Sequence, residues 1–432
     1  MTLYWLFFIL ESLVVHLFLP EDALALGESA YIMLICVNTL ILLLVLCTRY
    51  AHDRNFMLLI MGGLLLRIFF LFWSEYFNDI FALPNAGADE FTYYYNAMSA
   101  LVKDKEFTGY ALLFSWQARI YGLSKVYGKF VNVLFSVSAI TILRKTLIRL
   151  DVKEHVRTVT EAFACFLPNF AICSALLLRE SLIVFWVAVS AYYLICWWQE
   201  DRFSYLLLAL AASVGAAWLH SGMIAYTIGI VCVAVSARMS RSGRYFRLLS
   251  ARTIVLSVLT TVVLFAVLMN LDIGLTSYFR GADSIEDIVS IADAYEDGGS
   301  AYNANIVSNE SLAGFVINTP FRMLYFLFAP MPWDWRGATD AIAFLMSGLF
   351  YGYAFFRSLP YAVGRKRNAL ISALFLISLL ALMIFGWGVS NSGTALRHRD
   401  KMVIHDLLML ALIKNEEAKG NRRRLRSRDH EI

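Results

Sequence analysis

Apolar runs near 20 residues long recur along the whole chain, separated by short polar stretches. They read as about 12 membrane spans, with approximate limits 2–19, 29–48, 56–75, 127–145, 156–175, 181–198, 203–219, 221–238, 252–271, 338–357, 368–387 and 400–414. Two stretches interrupt the rhythm. Residues 76–126 are polar and then amphipathic. Residues 272–337 form a long loop that is acidic from Asp283 to Asp297, passes Gly298, Gly299 and an Asn-rich stretch to Asn309, and turns apolar from Leu312 onward. A loop of that length reads as a lid or a mobile segment. The segment from Pro320 to Trp333 reads as an interfacial or re-entrant helix, because a full span there would carry Arg365, Lys366 and Arg367 to the opposite face. The expected fold is all-α: a polytopic helical bundle forming one transmembrane domain over residues 1–414. Amphipathic helices and the long loop lie on its outer face, and a basic tail follows over 415–432.

Charge orients the bundle. Basic residues cluster at Arg49 to Arg54, at Arg144, Lys145, Arg149, Lys153 and Arg157, and at Arg238, Arg241, Arg244, Arg247 and Arg252. They cluster again at Arg357 with Arg365 to Arg367, and in the tail from Lys414 through Arg428. Twelve spans place all of these on one side with both termini, which makes that side cytoplasmic. The opposite side then receives Asp89, the Arg179–Glu180 turn, the His220-Ser221-Gly222 turn, the long loop and Arg397-His398-Arg399. A hydrophobic content of 59%, a charged content of 16% and a mean hydropathy of +0.63 exceed what a soluble core needs. The net charge of +4 says little about partners. All six cysteines fall in apolar runs and none forms Cys-x-x-Cys, so neither a disulfide framework nor a zinc site is indicated. No ligand motif points to a divalent metal, and the cofactor remains open. The first run has no basic n-region and no small-residue cleavage site, so it reads as a retained span.

The candidate chemistry sits mostly on the outer side. Pro84 and Gly87 break the chain, and a helix starting near Asp89 puts Asp89 and Tyr93 on one face. Asp89 either caps that helix or serves as a base. Arg67 lies inside the third span, where an ionisable residue is a functional candidate or the partner of Glu11 or Glu75. Arg179 and Glu180 either pair with each other or meet a substrate. His220 is a turn residue or a base, and Tyr325, Trp333 and Trp335 are interface anchors or stacking platforms. Arg397, His398 and Arg399 lie where basic residues are disfavoured and call for an anion. A lipid-linked phosphate or pyrophosphate suits the planar fork of arginine. A carboxylate, several arginines and aromatic rings on one face are the parts a sugar-transfer reaction needs.

Asp89-Glu90, followed by Tyr93 or Tyr94 and Ala97, resembles the first outer-loop motif of the GT-C integral-membrane glycosyltransferases. The acid of that loop is the catalytic base of the family. Pro168 with Leu178-Arg179-Glu180, the His220-Ser221 turn, the Pro320-to-Trp333 helix and Gly393-Thr394-Ala395-Leu396-Arg397-His398-Arg399 resemble bacterial Wzy- and EpsG-like polysaccharide polymerases. The resemblance implies a GT-C-like bundle in the bacterial inner membrane. It implies transfer of a sugar or oligosaccharide from a polyprenyl-(pyro)phosphate donor to a saccharide acceptor at the outer face. Asp89 and Glu90 would be catalytic, and Arg397, His398, Arg399 and Arg179 would bind the donor phosphate. Tyr93, Tyr94, Glu180, His220, Arg322, Trp333 and Arg67 would contact substrate. Membrane lipids and other polysaccharide-synthesis proteins are the implied partners, and nucleic acid is not among them. The first loop lacks Asp-x-Asp and no large soluble domain follows the last span, which leaves metal use and the identity of the base open. A lipid-linked oligosaccharide flippase is the alternative, but it should carry polar residues deep in many spans, and only Arg67 reads as deep. A non-catalytic scaffold of a synthesis complex would not explain Asp89 and the outer Arg-His-Arg together.

Overall fold

The computed structural model describes residues 1–18, 25–84, 88–102, 109–239, 250–270, 302, 312–364 and 366–429. Most of the long loop, from 271 on, lies outside the described residues, as do Arg241, Arg244, Arg247 and Arg365. Among the described residues the regular structure is helical, with one isolated antiparallel bridge between Ala25 and Gly122. The first half comprises α1 (Thr2–Phe18), α2 (Glu28–Tyr50), α3 (Arg54–Tyr76), α4 (Ala88–Val102), α5 (Gly109–Tyr121), α6 (Lys125–Arg149), α7 (Glu154–Phe166), α8 (Pro168–Cys173) and α9 (Glu180–Glu200). The second half comprises α10 (Phe203–Leu219), α11 (Ile224–Met239), α12 (Ala251–Asn270), α13 (Leu312–Phe328), α14 (Ala338–Ala343), α15 (Leu349–Ala362), α16 (Ala369–Gly388), α17 (Ser392–Asp400) and α18 (Val403–Asp429). Seven helical stretches among the described residues are long and apolar enough to cross a membrane: 28–50, 54–76, 125–149, 180–200, 221–238, 338–362 and 369–388. This is a multi-pass helical membrane protein, because lipid leaves helices of this kind as the way to satisfy a spanning backbone. Shorter apolar helices form at 2–18, 203–219 and 251–260.

The chain divides into two compact units. Unit 1 is Met1–Ile142 with Glu161–Phe185, and unit 2 is Leu143–Thr160 with Trp186–Ile432. In unit 1, α1 packs on α2 and α5, α2 on α3, α4 on α5, and α3 on α8. The turn from α5 to α6 needs a glycine. Gly122 has φ +82°, and a Cβ there would stand 2.6 Å from the Tyr31 hydroxyl and 2.9 Å from Ala25 Cα. In unit 2, α16 is the hub and touches α11, α13, α15 and α18. It is apolar all round, with a mean hydropathy of 2.6, as a helix enclosed by others must be.

The stretch expected as one span over 156–175 is two helices that break at Leu167. Pro168 has no N–H to give the carbonyl of Ala164, so the helix ends there. Arg67, fully buried in α3, repairs the break. Its guanidinium donates to Cys165 O at 2.7 Å and Ala164 O at 3.2 Å, as well as to Gly63 O at 3.0 Å, and it lies 4.9 Å from the Phe170 ring centre. Gly63 lets α3 come this close, since a Cβ there would be 3.0 Å from Cys165 Cβ. The acids considered as partners for Arg67 are engaged elsewhere. Glu11 accepts from Asn38 Nδ2 at 2.8 and 2.9 Å, and Glu75 is held by lysines. Arg67→Met is therefore expected to destabilise the folded protein by about 1–3 kcal/mol for each carbonyl left unsatisfied. Arg67→Lys should recover only part, because an ammonium lacks the fork. Thermal unfolding of the detergent-solubilised protein checks this, and wild-type stability of Arg67→Met would rule the repair out.

Candidate functional site

Unit 1 brings together two motifs far apart in sequence. Glu90, in the first turn of α4, is 5% exposed. Its Oε1 accepts the backbone N–H of Leu177, 87 positions away, at 2.8 Å. Its charge is met by Lys129, whose Nζ lies 3.2 Å from Glu90 Oε1 and 2.9 Å from Glu75 Oε2, and which also donates to Ser74 Oγ at 3.0 Å. Lys125, one helical turn earlier, adds a 3.4 Å contact to Glu75. Asn132, the next polar residue of α6, donates to Leu176 O and Leu178 O, both at 2.7 Å. Residues 176–178 are thus fixed from both sides, and they lead directly into Arg179 and the buried Glu180.

Beside this knot the half-buried Tyr93 meets Tyr110 edge-on, with ring centres 4.9 Å apart. Burial pushes the Tyr110 hydroxyl above its usual range, and Tyr93, Glu90 and Glu180 push the same way, against its bond to Asn132. Tyr110 therefore stays a neutral donor beside the acids. Asp89 lies within the first turn of α4, which begins at Ala88. An acid there still suits the helix N-terminus. Tyr94 packs on Tyr95 with ring centres 5.9 Å apart.

Unit 2 assembles the remaining motifs. His220 ends α10 in an extended conformation, and its Nδ1 accepts the N–H of Gly222 at 3.1 Å. In the neutral ring the proton is then on Nε2. The rings of His220 and His398 stand 4.6 Å apart and nearly perpendicular, both against Phe385. Arg399, 2% exposed, donates to Phe326 O at 3.1 Å, Leu327 O at 2.6 Å and Ala329 O at 2.7 Å. The sequence explains this. Pro330 has no N–H for the carbonyl of Phe326, so α13 ends with open acceptors, and a cation suits a helix C-terminus. Arg322 does the same at the end of α16, donating to Gly386 O at 3.2 Å and Trp387 O at 3.1 Å.

Among the described residues, Arg67, Arg322 and Arg399 are the three largest fully buried side chains, and all three serve backbone carbonyls. The phosphate role expected for Arg399 thus meets a guanidinium already engaged with the end of α13. Arg397 and His398 keep partial exposure. Trp333 is 63% exposed and donates from Nε1 to the Tyr325 hydroxyl at 2.6 Å. Among the described residues, no group of three or more His, Cys, Asp or Glu side chains is placed to hold a metal ion.

No protein-family model matches this chain, and neither does any curated protein or solved structure. The two sites therefore have to be read from their own chemistry.

Several site residues escape a reading by sequence. Lys125 and Lys129, four apart at the outer end of the fourth expected span, were a legible signal: cations on the side where basic residues are disfavoured. Asp400, His405 and Asp406 were hidden in the run expected as the last span. Asp400 accepts from the Tyr351 hydroxyl at 2.7 Å, and His405 sits between the Tyr226 hydroxyl and Leu374 O, each 3.0 Å away. Asp406 accepts from Ser378 Oγ at 3.3 Å. Asp406, Ser378, Tyr351 and Arg399 line a cavity of about 40 Å³, roughly the room for a water molecule.

Proposed function

We propose that this chain is a membrane-embedded glycosyltransferase or polymerase of GT-C-like architecture. It moves a sugar or oligosaccharide from a polyprenyl-(pyro)phosphate donor at the outer face of the bacterial inner membrane, for envelope polysaccharide synthesis. In this reading the chain crosses the membrane about 12 times: the seven long helices, the three shorter apolar ones and the expected spans at 156–175 and 400–414 make up the count. The observation that carries the reading is that the scattered motifs gather into one cluster within each unit. The Asp89-Glu90 segment is bonded to the strip that leads into Arg179-Glu180. The His220 turn, the α13 end and Arg397-His398-Arg399 meet in unit 2. Asp89 acts as the base towards an acceptor hydroxyl, Glu90 shapes its surroundings, and Arg397 with His398 receives the departing phosphate. Arg399 holds the segment that presents Arg397.

Arg397→Ala is expected to weaken donor use by about 2–5 kcal/mol, the cost of leaving a buried phosphate without its partner. Arg397→Lys should restore little. Polymer output in a deletion strain carrying each variant, with membrane levels measured alongside, is the assay. Wild-type output from Arg397→Ala would remove the phosphate role.

A second reading, a lipid-linked oligosaccharide transporter, is favoured by one observation. Asp400, His405 and Asp406 are all buried, at the end of α17 and the start of α18, and buried ionisable groups mark transport paths as well as active sites. Purified protein given a lipid-linked saccharide in detergent separates the two. A new glycosidic product supports the enzyme, and translocation in vesicles without any product supports the transporter.

A further inference from the structure

The segment after α13 holds a polar and aromatic cluster in which the transfer reading expects only Trp333 to meet substrate. Pro330 and Pro332 prevent the helix from continuing, and Pro332–Asp334 closes a short turn with Asp334 N–H on Met331 O at 2.9 Å. The turn folds Trp333 and Asp334 back over Tyr325. The Trp333 indole N–H donates to the Tyr325 hydroxyl at 2.6 Å, and that hydroxyl is within hydrogen-bonding reach of the Asp334 carboxylate. Tyr302 closes the other side, its ring centre 5.1 Å from that of Tyr325, with its backbone N–H on Ser390 O at 2.7 Å.

Among the described residues, two polar atoms in this cluster are buried without a partner: Asp334 Oδ2 and the hydroxyl of Tyr302, a residue 5% exposed. Orphaned groups of this kind are costly, so each calls for a partner. Burial raises the Asp334 carboxyl above its usual range, against the Tyr325 bond and the nearby Arg336. It also raises the Tyr302 hydroxyl, against Arg399 and Arg322.

The surroundings select the ligand. The carboxylate repels a phosphate. Arg336, Arg399 and Arg322 disfavour a metal ion or an amine. What remains is a neutral group that donates to Asp334, exchanges a hydrogen bond with Tyr302 and offers an apolar face to an exposed indole. A pyranose has all three features.

We propose that Asp334, Tyr302 and Trp333 form a saccharide-binding site. Asp334 Oδ2 accepts a hydrogen bond from a sugar hydroxyl, the Tyr302 hydroxyl makes a second bond, and the Trp333 ring stacks on the C–H face. The proposal deepens the transfer reading and rests on it for the substrate class. The site grips a sugar of the substrate while the reacting hydroxyl is handled elsewhere.

The test is direct binding of the purified full-length protein, in a detergent without a sugar headgroup, to an array of neutral hexose and N-acetylhexosamine oligosaccharides. The wild-type protein should bind. Asp334→Asn should bind about 10- to 100-fold more weakly, since one charged hydrogen bond is lost. Trp333→Ala should weaken binding about tenfold, as expected for a lost aromatic platform. Trp335→Ala should bind as wild type, because that indole is directed to Pro330 O at 3.0 Å. Asp334→Asn keeps the side-chain shape, and gel filtration confirms that each variant is folded. No binding by the wild-type protein, or undiminished binding by Asp334→Asn, overturns the proposal. A protein that binds saccharide through Asp334 yet forms no product supports the site and removes the transfer reading.

Discussion

Asp89→Asn is expected to lower sugar transfer by about 10²–10⁴-fold, the contribution of a well-placed general base. The folded protein should still accumulate to the wild-type level. Asn matches Asp in shape and keeps the polar oxygen, so only the charge near the start of α4 is lost. A charge at a helix N-terminus is worth about 0.3–1 kcal/mol, rising to about 2 kcal/mol where it is half-buried as Asp89 is, too little to unfold the protein. Glu90 makes the necessary contrast. Its carboxylate is committed to the Leu177 N–H and to Lys129, so Glu90→Gln removes a structural charge. It should lower stability and activity together, whereas Asp89→Asn should lower activity alone. Transfer measured per folded molecule distinguishes the two. Full activity of Asp89→Asn would end its assignment as the base and move the search to Glu180 and His220.

Lys129→Met is expected to destabilise unit 1 by about 3–5 kcal/mol, the usual cost of breaking a buried ion pair from one side. Lys129 is wholly buried and answers two carboxylates, Glu75 at 2.9 Å and Glu90 at 3.2 Å. Methionine fills the space but leaves Glu90 without its cation in a site where water does not replace it. Glu75 keeps Lys125, so the greater part of the loss should come from Glu90. Combining Lys129→Met with Glu90→Gln should therefore recover part of the stability. Removing an uncompensated charge helps even though the Leu177 bond becomes weaker. Thermal unfolding of the single and double variants measures this. A double variant no more stable than Lys129→Met would show that Glu90 is not the charge Lys129 answers.

Sequence and tertiary structure decided different things, and the division follows the range of the forces involved. The helical membrane character was legible because it is local. A run such as 369–388, apolar on every face, has no stable state in lipid but a helix, and no distant residue can change that. Pro168 and Pro330 carry a signal of the same local kind, since each removes an N–H from its own helix, yet the span expected over 156–175 and the helix expected from Pro320 to Trp333 ran through both. The motif positions could also be read, because Asp89, His220 and Arg397 stand where polar residues are exceptional.

Partnership could not be read. A buried arginine in an apolar run means the same thing by sequence whether it awaits a phosphate or a carbonyl. Only the fold brought Arg67 to Ala164 and Cys165, and Arg399 to Phe326, Leu327 and Ala329. Both arginines ended where a proline had left carbonyls open, at positions 97 and 98 residues away for Arg67 and 70 to 73 residues away for Arg399. The engagement of Glu90, next to Asp89, was decided in the same way. The two are chemically alike and adjacent, and their separation depends on where Leu177 and Lys129 arrive. Contacts over such distances are chosen by packing, which composition and periodicity do not encode.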